Sequence, residues 1–125
     1  MAKLKETTPC LLSTTTVALN ADADTAIYTV PTGKRCLLHH AILVAGADAG
    51  TTVFSIGSNG AETDFIPNNT LSNLDAAYDA VILMPVPNTT PTKTKSYAAG
   101  TVIDAKVSSQ AGGATNTLYL FGTLY

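Results

Sequence analysis

Hydrophobic and polar positions follow the two-residue period of half-buried β-strands along most of the chain. Thr51-Thr-Val-Phe-Ser-Ile56 places Thr52, Phe54 and Ile56 on one face and Thr51, Val53 and Ser55 on the other, as a strand with one buried side requires. Thr101-Val-Ile-Asp-Ala-Lys-Val107 alternates in the same way. Thr14-Thr-Thr-Val-Ala-Leu19 and Thr25-Ala-Ile-Tyr-Thr-Val30 are rich in the β-branched residues that suit a pleated sheet. The run from Lys34 to Val44 is apolar on nearly every position and predicts a long, mostly buried strand. Its period alone fits a buried helix equally well, and the flanking Pro31, Gly33 and Gly46 decide for a strand.

Shorter strands are predicted at 62–66 (stopped by Pro67), 80–84, 94–98 and 117–125. The turn signals between them are Asn20 to Asp24, Pro31-Thr-Gly33, Gly46 to Gly50, Gly57-Ser-Asn-Gly60, Pro85 to Pro91 and Ser108 to Asn116. Helix is signalled once. In Ser72-Asn-Leu-Asp-Ala-Ala-Tyr78, Ser72 could cap at most one or two turns, with Asp75 at the third helical position. About eight or nine strands at roughly ten-residue spacing predict an all-β chain, a single antiparallel β-sandwich of jelly-roll type. The sandwich is expected to span 11–125, after a polar arm at 1–10 that carries Lys3, Lys5 and Glu6. The last strand, running to Tyr125, is expected to lie centrally in a sheet or at a subunit contact.

Charge changes the picture most. Only 13% of the 125 residues are charged, about half the usual ~25% for a soluble domain. Thr (20 residues) and Asn (7) supply the polarity, and Ala (18) much of the apolar count. A surface of Thr, Ser, Asn, Ala and Gly costs little to desolvate and suits packing against other proteins. A net charge of −2 argues against a nucleic-acid binder held by charge. No apolar run approaches the ~20 residues of a membrane helix, and the start lacks the apolar core of a secretory signal. With no export signal, Cys10 and Cys36 are expected to be reduced.

The candidates for chemistry are sparse. His39 and His40 are neighbours, so a regular strand would point them to opposite faces, with Cys36 on the side of His40. That yields at most two of the three or four ligands a zinc site needs. Asp22, Asp24 and Asp48 sit in small-residue loops without the spacing of a calcium loop. Glu62 and Asp64, with Asp79 or Asp104, could form a carboxylate pair, although a chain without Trp offers poor platforms for a sugar. No nucleophile elbow, Walker loop or dinucleotide fingerprint is present. No catalytic residue, metal site or cofactor is therefore expected.

Three segments resemble a known group. Ile27-Tyr-Thr-Val-Pro-Thr-Gly-Lys34 opening into a long apolar strand, Ala99-Gly-Thr-Val-Ile-Asp-Ala-Lys-Val107, and the closing Leu118-Tyr-Leu-Phe-Gly-Thr-Leu-Tyr125 are similar to strands of small β-sandwich structural proteins of tailed bacteriophage particles. The likeness covers 25–44 and 99–125 and is shared by head decoration, head-fibre, neck and tail proteins. It implies a non-enzymatic virion protein, made in the host cytoplasm and placed on the capsid surface. Its expected role is decoration or cementing, as a homotrimer that binds the major capsid protein or other virion proteins, with no nucleic acid and no membrane. The residues expected to make contacts are Lys3, Lys5 and Glu6 of the arm and Leu118, Leu120, Leu124 and Tyr125 of the last strand. The alternative is a tail- or neck-associated protein or a carbohydrate- or receptor-binding module, with Tyr28, Tyr78 and Tyr97 as stacking faces.

Overall fold

The computed structural model describes residues 9–85 and 94–125. Its strands are β1 (Cys10–Val17), β2 (Ala23–Thr29), β3 (Cys36–Val44), β4 (Val53–Ser58), β5 (Ala61–Thr70), β6 (Ala80–Leu83), β7 (Ser96–Tyr97), β8 (Val102–Ser108) and β9 (Asn116–Leu124). They form two antiparallel sheets. One has the order β1-β9-β3-β6, with the two-residue β7 also on β3, and the other has the order β2-β8-β4-β5.

One folding logic generates this order. β4 pairs with β5 across the tight turn at Asn59-Gly60, and then β3 pairs with β6, β2 with β8 and β1 with β9. The chain is thus one long hairpin, doubled at Gly60 and rolled so that its strands pass between two facing sheets. This is the jelly roll, with β7 as an addition. Gly60 adopts a φ of +88°, a conformation that costs a side chain dearly and glycine little.

The core lies between the sheets. Leu38, Leu43, Leu118 and Leu120 from the five-stranded sheet meet Phe54, Ile56, Ile66 and Ile103 from the other, and all eight are essentially inaccessible. Burying each such side chain stabilises the fold by about 1.5–3 kcal/mol relative to exposure. A one-residue slip would turn a whole row of them outward, so the register is strongly specified. Two of the segments singled out in the sequence also meet here. The Val30 N–H donates to the Thr101 carbonyl at 3.0 Å and the Gly100 N–H to the Val30 carbonyl at 2.8 Å, locking the Pro31–Gly33 turn to the start of β8.

Four details sharpen or amend these expectations. Residues 72–78 form turns, not helix. Their backbone is claimed by distant partners, with the Leu71 N–H on the Thr52 carbonyl and the Leu74 carbonyl accepting from Ala49, while Leu71 and Leu74 are buried. β5 runs through Pro67 to Thr70, which is tolerable because β5 is an edge strand and an edge residue can dispense with its donor. The strand expected at 94–98 shrinks to Ser96–Tyr97. β1 already includes Cys10, so the sandwich begins one residue earlier than the pattern suggested. The loop expected from Pro85 to Pro91 lies, beyond Pro85, outside the described residues.

Candidate interaction surface

The register of the five-stranded sheet sorts its side chains into two faces, because residues directly opposite one another in an antiparallel pair share a face. Leu43 lies opposite Leu118 and Ala41 opposite Leu120, all facing the core. The other row therefore faces outward. It carries Leu11, Thr14 and Thr16 on β1, and Thr117, Tyr119, Phe121 and Thr123 on β9. On β3 it carries Leu37, His40, Ile42 and Val44, and on β6 Ala80 and Ile82.

The two histidines depart from a regular strand. A β-bulge makes His39 an extra residue between Leu38, opposite Gly122, and His40, opposite Phe121. An extra residue resets the alternation. His39 and His40 therefore both lie off the core face, while Cys36 is buried within it. This overturns the expectation that His40 and Cys36 share a face. His40 stacks on Phe121 with ring centroids 4.6 Å apart and planes at 9°. His39 Nε2 is 3.0 Å from Thr123 Oγ1. Burial, then the neighbouring Cys10, pushes the Cys36 thiol up to about 11, so this cysteine is an inert core residue. Both cysteines are free.

Gly122 sits between two irregularities, since β1 bulges beside it as well, between Leu11 and Ser13. A Cβ at Gly122 would lie 2.6 Å from the Leu37 carbonyl oxygen and 2.9 Å from Leu12 Cδ1. The missing side chain is the space into which Leu12 turns. Gly122→Ala is expected to cost about 1–3 kcal/mol through overpacking and to disturb the stacked His40–Phe121 pair. Denaturant unfolding and the histidine ring NMR signals would check this, and unchanged stability with unchanged ring signals would contradict it.

The composition of the two sheets differs sharply. β1, β9, β3 and β6 contain no Asp, Glu, Lys or Arg. The four strands of the other sheet carry Asp24, Glu62, Asp64, Asp104 and Lys106. Large exposed apolar side chains concentrate on the uncharged sheet. Ile82 is 62% exposed and Leu11 43%, and Met84, just past β6, is 61% exposed. Tyr78, just before β6, is 87% exposed. It is held at a φ of +73°, with its N–H on the Ala45 carbonyl at 2.8 Å. At the far end of the face the Arg35 guanidinium reaches Ser96 Oγ at 3.2 Å, and Tyr125 Oη lies 2.6 Å from the same hydroxyl. Hydrogen bonds from Ser96 and then Arg35 lower the Tyr125 phenol from its ordinary value.

The acidic candidates other than Asp24 spend their oxygens locally. Asp48 accepts from the Gly50 N–H, Asp22 from Gln110 N–H, Glu62 from Gly60 N–H, and Asp79 from Ala76 N–H. Asp104 accepts from Asn59 Nδ2 at 2.7 Å. Asp64 accepts from the Ser58 N–H and Oγ, from Tyr97 Oη and from Lys95 Nζ, and so ties β5 to β7 of the opposite sheet. Burial alone would raise its pKa, but the hydrogen bonds from Lys95, Ser58 and Tyr97 outweigh that and hold the carboxyl below its ordinary value. The shallow cleft beside it, lined by Asp64, Phe65, Pro85, Thr94, Lys95 and Ser96, therefore contains a carboxylate that is already satisfied. Among the described residues no group of three or more His, Cys, Asp and Glu is placed to hold a metal ion.

The contact residues expected from the sequence fare unevenly. Leu118, Leu120 and Leu124 are core residues, so they hold the sheets together and offer nothing to a partner. Tyr125 is exposed. Lys3, Lys5 and Glu6 lie outside the described residues. The outward row of the same strand, Tyr119, Phe121 and Thr123, was missed. The signal was in the alternation, where aliphatic residues take one face and aromatic or Thr residues the other. The three tyrosines considered as sugar platforms do not converge. Tyr97 is buried, Tyr28 packs partly buried against the core, and Tyr78 alone of the three stands free. Compared with known proteins, the chain matches no family model, no curated protein and no solved structure.

Proposed function

We propose that the chain is a non-enzymatic structural protein of a bacteriophage particle, a decoration or cementing protein that seats on the lattice of the major capsid protein and stabilises the head. The observation that carries this reading is the uncharged outer face of the β1-β9-β3-β6 sheet, with Leu11, Ile82 and Met84 exposed on it or beside it. An uncharged face that leaves large apolar side chains exposed marks a contact surface awaiting cover. The phage-like segments of the sequence supply the setting. Val30 and Gly100, from two of those segments, meet at one turn of the jelly roll.

The mechanism is attachment in many copies. Each domain buries a modest area, and because its neighbours are held on the same lattice, the summed attachment is far stronger than one contact. The polar arm precedes β1, the edge strand of the uncharged sheet, and is proposed to contact a neighbouring subunit. Since β1 begins at Cys10, the informative truncation removes residues 1–8. This truncation is expected to weaken co-sedimentation with capsids several-fold while the thermal unfolding midpoint stays unchanged. Undiminished co-sedimentation would contradict a role for the arm.

A further inference from the structure

We infer that Asn59, at the tip of the β4–β5 hairpin, is a site of covalent self-modification. Its side-chain amide is displaced by the Gly60 backbone nitrogen, and the carboxylate that results is repelled by the buried Asp104. This inference goes beyond the assembly reading and does not depend on it.

The sequence singles out the position. Of the seven asparagines, Asn59 is the one followed by glycine. Asparagine is a thermolabile residue. Losing its amide requires the next backbone nitrogen to swing onto the side-chain carbonyl carbon, and glycine, without a Cβ, hinders that swing least. Asn59 and Gly60 are both exposed, so water has access. In the reaction, hydroxide takes the Gly60 N–H proton, and the nitrogen electron pair forms a bond to Asn59 Cγ. The Cγ–Nδ2 bond breaks and ammonia leaves, taking a proton from water and so returning the hydroxide. Water then opens the succinimide ring at either carbonyl, giving an aspartate or an isoaspartyl link. In sum one water is consumed and one ammonia released, with no change of oxidation state.

The folded turn restrains the first step. The Gly60 N–H donates to Glu62 Oε1 at 2.9 Å, and Asn59 Nδ2 donates to Asp104 Oδ2 at 2.7 Å. The Asn59 N–H is held as well, on the Val102 carbonyl at 2.9 Å. The two groups that must meet are thus each tied to a carboxylate. The carboxylate beside Gly60 also opposes the negative charge its nitrogen must take on. Local opening of the turn is therefore the gate.

The product does not suit the site it came from. Asp104 is 2% exposed and accepts from the Asn59 amide. A carboxylate at position 59 replaces that donor with a second anion at the same distance. Two carboxylates sharing one site cannot both stay ionised, so one takes up a proton or the turn opens. β5 is an edge strand, which leaves the hairpin tip free to come away from β8.

The experiment incubates the full chain at neutral pH, folded and in guanidinium. Mass spectrometry follows the peptide containing residue 59 for exchange of amide for carboxylate, and electron-transfer fragmentation identifies the isoaspartyl link. In guanidinium, Asn59 is expected to convert fastest of the seven asparagines. The folded wild type is expected to convert several-fold more slowly. Folded Glu62→Ala, which frees the Gly60 N–H, is expected to convert several-fold faster than folded wild type. Asn59→Asp, one of the two products, is expected to unfold at a lower denaturant midpoint than wild type at neutral pH. The crowded pair binds its proton more tightly folded than unfolded, so this deficit fades as pH falls through the carboxyl range. If Asn59→Asp fails to fold, the modified fraction of aged wild type, separated by its added charge on ion exchange, decides. Folded wild type converting as fast as the denatured chain, or Glu62→Ala no faster than wild type, would overturn the restraint. A product with the wild-type midpoint would overturn the conflict with Asp104.

Discussion

Asn116→Leu is expected to lower the unfolding free energy by about 3–4 kcal/mol, even though it nearly conserves volume and adds apolar surface to a buried site. Asn116 opens β9 and is 1% exposed. Its Nδ2 donates to the Val17 carbonyl at 2.9 Å and to the Gly113 carbonyl at 3.0 Å, and its Oδ1 accepts from the Gly46 N–H at 3.0 Å. One side chain therefore ties the end of β1, the loop before β9 and the loop after β3. Leucine can make none of these bonds, and each buried backbone group it strands costs about 1–3 kcal/mol. The backbones cannot shift together to compensate, because a Cβ at Gly46 would already collide with the Thr115 carbonyl. Since the whole domain is worth only about 5–15 kcal/mol, the loss is a large fraction of stability. Urea unfolding measures it as a lower midpoint at constant slope, and a loss under about 1 kcal/mol would contradict the role given to Asn116. Asn116→Asp is expected to be no milder, since it keeps the acceptor for Gly46 but turns a carboxylate oxygen towards two carbonyls.

Asp64→Ala is expected to cost about 2–4 kcal/mol at neutral pH. The Tyr97 hydroxyl at 2.7 Å and the Ser58 N–H at 3.0 Å both lose a charged acceptor, and bonds to an ionised group are the stronger kind. Tyr97 is buried, so its hydroxyl has little recourse to water. The Lys95 ammonium, at 2.8 Å, adds less because it is half exposed and screened. The effect depends on pH with a definite sign. Asp64 titrates lower in the folded protein than in the unfolded chain. Its contribution is therefore present above the unfolded carboxyl value of about 3.9 and is lost as pH falls through the lower folded value. The stability difference between wild type and Asp64→Asn should be constant near neutrality and shrink below about pH 4. Unfolding curves at pH 7 and pH 3 test this, and a difference that grows on acidification would refute it.

Strand alternation made most of the fold legible. The rows Thr52-Phe54-Ile56 and Ile103-Ala105-Val107 face the core as their pattern required, and turn residues at Gly33, Gly60 and Gly100 take the positive φ their positions imply. What stayed hidden depends on pairing between distant segments. Ser72 and Asp75 carry a local helix signal, but the buried side chains of Leu71 and Leu74 and bonds to Thr52 and Ala49 outweigh it. The bulge at His39 falls beside the Leu38–Gly122 pair, and Gly122 lies far along the chain, with the Leu37 carbonyl packed closely on it; nothing near His39 announces it. The same irregularity decides which face both histidines occupy. The candidate interaction surface was half legible. An uncharged set of strands can be read directly from the sequence, but the five-stranded order that gathers them into one sheet cannot. Choosing Leu118, Leu120 and Leu124 as contacts mistook the strongest hydrophobes for the exposed ones, when burial had already claimed them.

A jelly roll proposed as an assembly piece of a capsid must bind that capsid. Quantitative co-sedimentation of the full chain with purified particles of the proposed parent phage measures this. Saturable binding at a fixed ratio to the major capsid protein, one that matches a symmetry position of the lattice, is expected. Protein left in the supernatant at every concentration, or uptake that rises without saturating, would contradict it.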